Sequence, residues 1–198
     1  MIVLSAEFIK SATEPEGYPP AGPAEVAFCG RSNVGKSSCL NALSNRKALA
    51  RVSSTPGRTR LINFFDLKVA EKTRTREWEI RFADLPGYGF AAGPRDDRKE
   101  WKKMIDRYLV ERNELRALVV LVDGEIGPQP NDTEMLEWAR NLGRKIIVAA
   151  TKLDRIARTR RGSQLEKISG QLGVPGVIGF SAKEHFGVEE LWRALVSA

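Results

Sequence analysis

The chain has 198 residues, of which 42% are hydrophobic and 29% charged, a balance that fits one globular domain and argues against a disordered chain. The sequence contains no apolar run of about 18 residues, which argues against a membrane span, and its N-terminus does not resemble a signal peptide, so we expect a cytoplasmic protein. The net charge of +7 suggests a polyanionic partner, although it also fits a merely soluble surface.

The predicted elements alternate between strands and helices along the chain. In order, they are a strand over 25–29, a helix over 36–45, a loop over 46–60, strands over 61–69 and 76–83, a loop over 84–94, a helix over 95–113, a strand over 117–122, a helix over 132–142, a strand over 146–150, a helix over 160–172, a strand over 177–180 and a helix over 188–196. The short connection at 71–74 makes the second and third strands an antiparallel pair.

This order predicts an α/β protein of three layers, with a mostly parallel sheet and one antiparallel edge strand. We predict a single domain over 23–198, preceded by an extended lead-in segment over 1–22. The two cysteines, Cys29 and Cys39, are too few for a disulfide framework, and we expect both to be buried. The lone His185 lies in a polar segment and should be exposed.

The stretch GRSNVGKSS lies between the first predicted strand and the first helix. Its G-x4-G-K-S spacing is that of a P-loop, the phosphate-binding turn of P-loop NTPases. Glycines let backbone N–H groups approach phosphate oxygens, the lysine would contact the β- and γ-phosphates, and the serine hydroxyl after it would bind Mg²⁺. The predicted phosphate-binding residues are Gly30, Arg31, Ser32, Asn33, Val34, Gly35, Lys36, Ser37 and Ser38.

Two loops after neighbouring predicted strands indicate that the base is guanine. They are TKLD (Thr151, Lys152, Leu153, Asp154) and FSA (Phe180, Ser181, Ala182). The Asp154 carboxylate can accept hydrogen bonds from N1–H and the 2-amino group of guanine, a pair that adenine does not offer. The Lys152 stem can lie along the base, and the Ala182 N–H can donate to guanine O6. Ligands of open α/β sheets bind at this end of the strands.

Two further loops complete the predicted site. In DLPG (Asp84, Leu85, Pro86, Gly87), the carboxylate would hold Mg²⁺ through a water and the last N–H would meet the γ-phosphate. In the stretch STPGRTRL, the expected nucleotide contacts are Gly57, Arg58, Thr59, Arg60 and Leu61. We prefer Thr59 as the second Mg²⁺ ligand and keep Thr55 as the alternative. Lys36, Thr59 and Gly87 are the predicted catalytic residues.

With these motifs the chain resembles translation-factor-type small GTPases of the TrmE-Era-EngA-YihA-Septin-like superfamily, and more narrowly the EngB family. The segments GRSNVGKSS, SSTPGRTRLINFF, DLPGYGFA, TKLD and FSA carry the resemblance over nearly the whole chain. It implies binding of GTP and GDP with Mg²⁺, slow GTP hydrolysis, and a role in assembling the large ribosomal subunit. It also implies a need for the protein in normal cell division and septation. We expect a monomer without membrane contact.

Many GTPases place a glutamine directly after the DLPG glycine to orient the attacking water. Here that residue is Tyr88, so we predict slow intrinsic turnover that a partner or a bound K⁺ would accelerate. By analogy with potassium-stimulated relatives, Asn33 is the candidate K⁺ ligand. Arg58 and Arg60 are either built-in arginine fingers or contacts to RNA or solvent, and we favour the second.

Two other functions stay open from the sequence. A metabolic P-loop enzyme such as a nucleotide kinase is one, although TKLD and FSA argue against it. A GTP-dependent binding module for a division protein, without RNA contact, is the other. Basic clusters at 46–60, 72–76, 98–103 and 155–161 would suit contacts to ribosomal RNA that weaken as salt rises.

Overall fold

The computed structural model describes residues 1–50, 61–88 and 95–198, with side chains described outside 95–98. The strands are β1 (Ile2–Ala12), β2 (Ala24–Gly30), β3 (Ile62–Ala70), β4 (Glu77–Asp84), β5 (Leu115–Asp123), β6 (Lys145–Thr151) and β7 (Ile178–Gly179). The α-helices are α1 (Lys36–Leu43), α2 (Arg95–Glu111), α3 (Pro130–Asn141), α4 (Arg158–Leu172) and α5 (Val188–Val196). Every predicted strand and helix is therefore confirmed, with ends that differ by about two residues.

The seven strands form one sheet in the order β1-β3-β4-β2-β5-β6-β7. Strands β4, β2, β5, β6 and β7 run parallel to one another, and β3 pairs antiparallel with β4, as the hairpin predicted. The predicted fold class is thus confirmed. One detail differs: the antiparallel strand β3 does not lie at the edge, because β1 pairs with its outer side.

The segment 1–22, predicted as an extended lead-in, contains β1, which is a full strand of the sheet. Its pairing with β3 is irregular between Val3 and Ser5 and again between Phe8 and Lys10. These bulges break the two-residue alternation by which a strand is predicted. Beyond the strand, the ring of Tyr18 packs 5.6 Å from those of Phe64 and Tyr108, so this segment contributes to the core.

The core has two layers, one on each face of the sheet. Helices α2, α3 and α4 cover one face, and α1 and α5 cover the other. The apolar run of β5 supplies both layers, since alternate side chains point to opposite faces. Both cysteines are buried and free and His185 is exposed, as predicted. Among the residues described, no helix is long and apolar enough to cross a membrane.

Candidate functional site

The turn between β2 and α1 has a backbone that only certain residues allow. Gly35 adopts a left-handed conformation (φ 102°) and forms the N-cap of α1. At Gly30, a Cβ atom would lie 2.8 Å from Cγ1 of Val34 and 3.0 Å from the Leu121 carbonyl oxygen, which leaves no room for a side chain. The two glycines of the motif are therefore required by this turn geometry, which exposes backbone N–H groups at the start of a helix.

The side chains expected at the phosphates lie together at this turn. Lys36 forms an ion pair with Asp84, and both side chains are largely buried. Ser37 follows in the first turn of α1. The Ser32 hydroxyl is buried without a hydrogen-bond partner among the described residues, so the loop retains an unused polar atom. An ammonium, hydroxyls and one carboxylate are a suitable set for phosphate oxygens and a hard cation such as Mg²⁺.

The loop after β4 is packed directly onto the P-loop. Tyr88 donates its N–H to the Gly30 carbonyl oxygen, and its own carbonyl oxygen accepts from the Ser32 N–H, both at 3.2 Å. A Cβ atom on Gly87 would lie 3.2 Å from the Ser32 nitrogen, so glycine allows this close approach. The structure thus brings the DLPG motif to the predicted phosphate site.

The two loops expected at the base are joined by their own hydrogen bonds. The Ser181 hydroxyl donates to the Asp154 carboxylate at 2.7 Å, and the Leu153 N–H donates to the Phe180 carbonyl oxygen at 3.2 Å. Asp154 belongs to a single 3-10 turn, Leu153–Arg155, that follows β6. The carboxylate predicted to recognise guanine is therefore held in place by the neighbouring loop.

Asp123, at the end of β5, contacts Lys152 of the TKLD loop and was not among the predicted site residues. It accepts hydrogen bonds from Lys152 Nζ at 2.6 Å and from the N–H groups of Glu125 and Ile126 at 3.0 and 3.2 Å. Burial acts to raise the pKa of Asp123, but these bonds outweigh it and lower that pKa below the usual 3.8. The signal in the sequence was an aspartate directly after a buried strand.

Asp132, in the first turn of α3, is a second residue that was missed. It is fully buried, and its carboxylate accepts from the Tyr88 hydroxyl at 2.8 Å and from Arg31 Nε at 3.1 Å. Burial, with the nearby carboxylate, raises the pKa of Tyr88 well above its ordinary value, so the phenol stays protonated and donates. Sequence spacing gave no signal for this contact between three separate segments.

Part of the predicted site lies outside the described residues. This applies to Gly57, Arg58, Thr59 and Arg60, and to the alternative Mg²⁺ ligand Thr55. Leu61 is described and is exposed one residue before β3. Asn33, the candidate K⁺ ligand, is exposed and has a left-handed backbone (φ 63°).

Comparison with protein families gives two matches. Residues 25–152 match the family described as 50S ribosome-binding GTPase, and residues 111–198 match the elongation factor Tu GTP binding domain. Among curated proteins, the chain is 48% identical to a probable GTP-binding protein EngB of Myxococcus xanthus (strain DK1622), over 98% of this chain and 94% of that protein. A probable GTP-binding protein EngB of Koribacter versatilis (strain Ellin345) is 46% identical, over 96% of this chain and 92% of that protein.

Solved structures of GTP-binding proteins superpose on this chain. The crystal structure of a probable GTP-binding protein EngB superposes with a TM-score of 0.66 at 27% identity, over 88% of this chain and 97% of that one. Era in complex with MgGDPNP and nucleotides 1506–1542 of 16S ribosomal RNA superposes with a TM-score of 0.69 at 24% identity, over 88% and 56%. At 24% identity, the likeness to Era shows that the two proteins share a fold and nothing further.

Proposed function

Because this chain belongs to the EngB family of GTP-binding proteins and is a GTPase, we propose that its GTP cycle serves assembly of the large ribosomal subunit. The observation that carries the proposal is the match of residues 25–152 to a family described as 50S ribosome-binding GTPase. The net charge of +7 supports a partner rich in phosphate. We further infer a cytoplasmic monomer whose loss impairs cell division and septation.

The nucleotide is held, in this proposal, by the P-loop, the DLPG loop and the two base loops. The ammonium of Lys36 neutralises charge on the γ-phosphate, and the N–H of Gly87 donates a hydrogen bond to it. The Asp154 carboxylate accepts hydrogen bonds from N1–H and the 2-amino group of guanine. Ser37 and Thr59 bind Mg²⁺ directly, and Asp84 binds it through a water. The ion supplies electrostatic stabilisation of the transferring phosphoryl group when bound.

We propose slow intrinsic hydrolysis, because the residue after Gly87 does not orient water. The Tyr88 hydroxyl donates to Asp132, and the Tyr88 ring lies 6.5 Å from the ring of Trp101. The side chain is therefore buried in the protein, and its hydroxyl already has a hydrogen-bond partner. A bound K⁺ at Asn33 would supply a positive charge near the phosphates. GTPase rates in K⁺ and Na⁺ buffers test this, and equal rates would remove the K⁺ hypothesis.

The basic clusters differ in how much charge they offer to RNA. In two of the other clusters some charges are paired: Lys72, Arg155 and Arg161 form ion pairs with Glu189, Glu125 and Glu184. Arg74, Arg76, Arg158 and Arg160 of those clusters are exposed without an ion pair to a described side chain. On α2, by contrast, Lys99, Lys102 and Lys103 are exposed and form no ion pair with any side chain that the structure describes. We propose that this face of α2 contributes to the contact with ribosomal RNA.

The test is co-sedimentation with purified large-subunit precursors at graded salt, in a non-hydrolysable GTP analogue or in GDP. We expect association that requires the analogue and weakens steeply as salt rises. A variant with Lys99, Lys102 and Lys103 changed to Gln should bind less at every salt concentration and keep its nucleotide affinity. Small subunits serve as the particle control.

Two results would redirect the proposal. Absence of association, or association equal in GDP and the analogue, would favour a binding module for a division protein without RNA contact. Displacement of bound GTP by equimolar ATP would contradict guanine recognition and favour a metabolic nucleotide enzyme instead.

A further inference from the structure

The buried carboxylate of Asp132 connects α3 to both phosphate-binding loops. One oxygen, Oδ1, accepts from the Tyr88 hydroxyl at 2.8 Å. The other, Oδ2, accepts from Arg31 Nε at 3.1 Å and from the Gln129 N–H at 2.8 Å. Arg31 lies in the P-loop and Tyr88 directly follows the DLPG motif, so a single side chain fixes both loops to the start of the same helix.

Gly87 is held through the residues on either side of it. After it, Tyr88 is bonded to the P-loop through its backbone and to Asp132 through its side chain. Before it, the carbonyl oxygen of Pro86 accepts from Trp101 Nε1 of α2 at 3.3 Å. The position of the Gly87 amide relative to the P-loop is therefore set by the backbone bonds of Tyr88 and by side chains of two helices, and the bond between Tyr88 and Asp132 is buried.

We propose that Asp132 is a positioning residue for the γ-phosphate contact: through Tyr88 and Arg31 it fixes the Gly87 amide where that phosphate binds. This inference rests on the proposed role of Gly87. An amide that is already in place loses little conformational freedom when it binds, which raises affinity. GDP has no γ-phosphate, so the positioning should affect GTP binding and leave GDP binding nearly unchanged.

The experiment compares two tyrosine variants. Tyr88→Phe removes only the hydroxyl that donates to Asp132. Tyr108→Phe is the matched control, because its buried hydroxyl also donates to a buried carboxylate, that of Glu25. Glu25 lies five residues before Gly30 on β2, about 16 Å from the phosphate turn along an extended strand.

Affinities for GDP and for a non-hydrolysable GTP analogue are measured for both variants and the unchanged protein. From the usual strength of a hydrogen bond to a charged group, we expect Tyr88→Phe to weaken analogue binding about tenfold and GDP binding less than about twofold. Tyr108→Phe should leave the ratio of the two affinities unchanged, even where thermal stability falls.

A second variant, Asp132→Asn, tests the same residue directly. It should shift the affinity ratio in the same direction, because an amide offers one acceptor oxygen where the carboxylate offers two for Tyr88, Arg31 and the Gln129 N–H. Combined with Tyr88→Phe it should shift the ratio by less than the sum of the two separate effects, because both changes act on the same hydrogen-bond cluster. A Tyr88→Phe protein with an unchanged ratio, or with both affinities reduced equally, would overturn the inference and leave the proposed function standing. Unchanged protein that binds neither nucleotide would overturn both.

Discussion

The side-chain hydroxyl of Thr151 lies 2.5 Å from the carbonyl oxygen of Val34, although 117 residues separate them in the sequence. Thr151 begins the TKLD loop and Val34 belongs to the P-loop, so the contact joins the loop expected at the base to the loop expected at the phosphates. The same hydroxyl lies 3.1 Å from the Val122 carbonyl oxygen on β5. The Thr151 hydroxyl thus contacts both the P-loop and β5.

We predict that Thr151→Val destabilises the protein and weakens binding of GTP and GDP alike. Valine keeps the shape of threonine but leaves the buried carbonyl oxygen of Val34 without this donor, at a cost of about 1–3 kcal/mol in the free energy of unfolding. Urea unfolding and nucleotide titration measure the two effects. The exposed Thr159 on α4 provides the control, since Thr159→Val should change neither quantity. Unaltered stability of the Thr151 variant would show that the contact contributes nothing.

Asp154→Asn should weaken binding of guanine nucleotides by about a hundredfold or more, because an amide cannot accept both of the hydrogen bonds that guanine donates. The fold should remain intact, since the Ser181 hydroxyl can still donate to the remaining oxygen. Equilibrium titration with GDP provides the measurement, beside Glu166→Gln on the exposed surface of α4 as a control. An affinity equal to that of the unchanged protein would refute the assignment of the base.

Stability should depend on pH through Asp123. Its pKa is lowered in the folded protein, so its contribution is fully present above the unfolded pKa near 3.8 and is lost as pH falls through the folded value. Asp123→Asn should therefore destabilise the protein at neutral pH and have a smaller effect at about pH 3. Urea unfolding at both pH values checks this. A loss of stability that is the same at both would contradict the ionic role of Asp123.

Two glycine-to-alanine changes should have opposite effects. At Gly124 an added Cβ would lie 2.4 Å from Leu153 Cδ2 and 2.6 Å from the Thr151 carbonyl oxygen, so alanine should cost about 1–3 kcal/mol. At Gly162, within α4, nothing lies within 4 Å of the added atom, and alanine should stabilise the helix by about 0.5–1 kcal/mol. Thermal unfolding of the two variants, measured side by side, distinguishes crowding from helix propensity.

The sequence by itself determined the features that depend on neighbouring residues. The helices follow from apolar side chains at helical spacing, and the buried strand β5 from a continuous apolar run. The P-loop follows from the spacing of its own residues, and Gly35 is needed there because the backbone turns left-handed. Gly30 is confined both by Val34 within the loop and by Leu121 of β5, so its requirement is only partly local. The same patterns correctly predicted the order of these strands and helices and, from that order, the α/β fold class.

Only the tertiary structure decided which distant residues meet. Strand β1 was missed because its two irregular positions hide the alternation, and its place beside β3 depends on pairing across fifty or more residues. The bonds from Asp132 to Tyr88 and Arg31 likewise join segments that no spacing relates. The physical reason is that a hydrogen bond between distant segments forms only after packing has brought both segments into place. The spacing of neighbouring residues, by contrast, favours a helix, a strand or a turn within the segment itself.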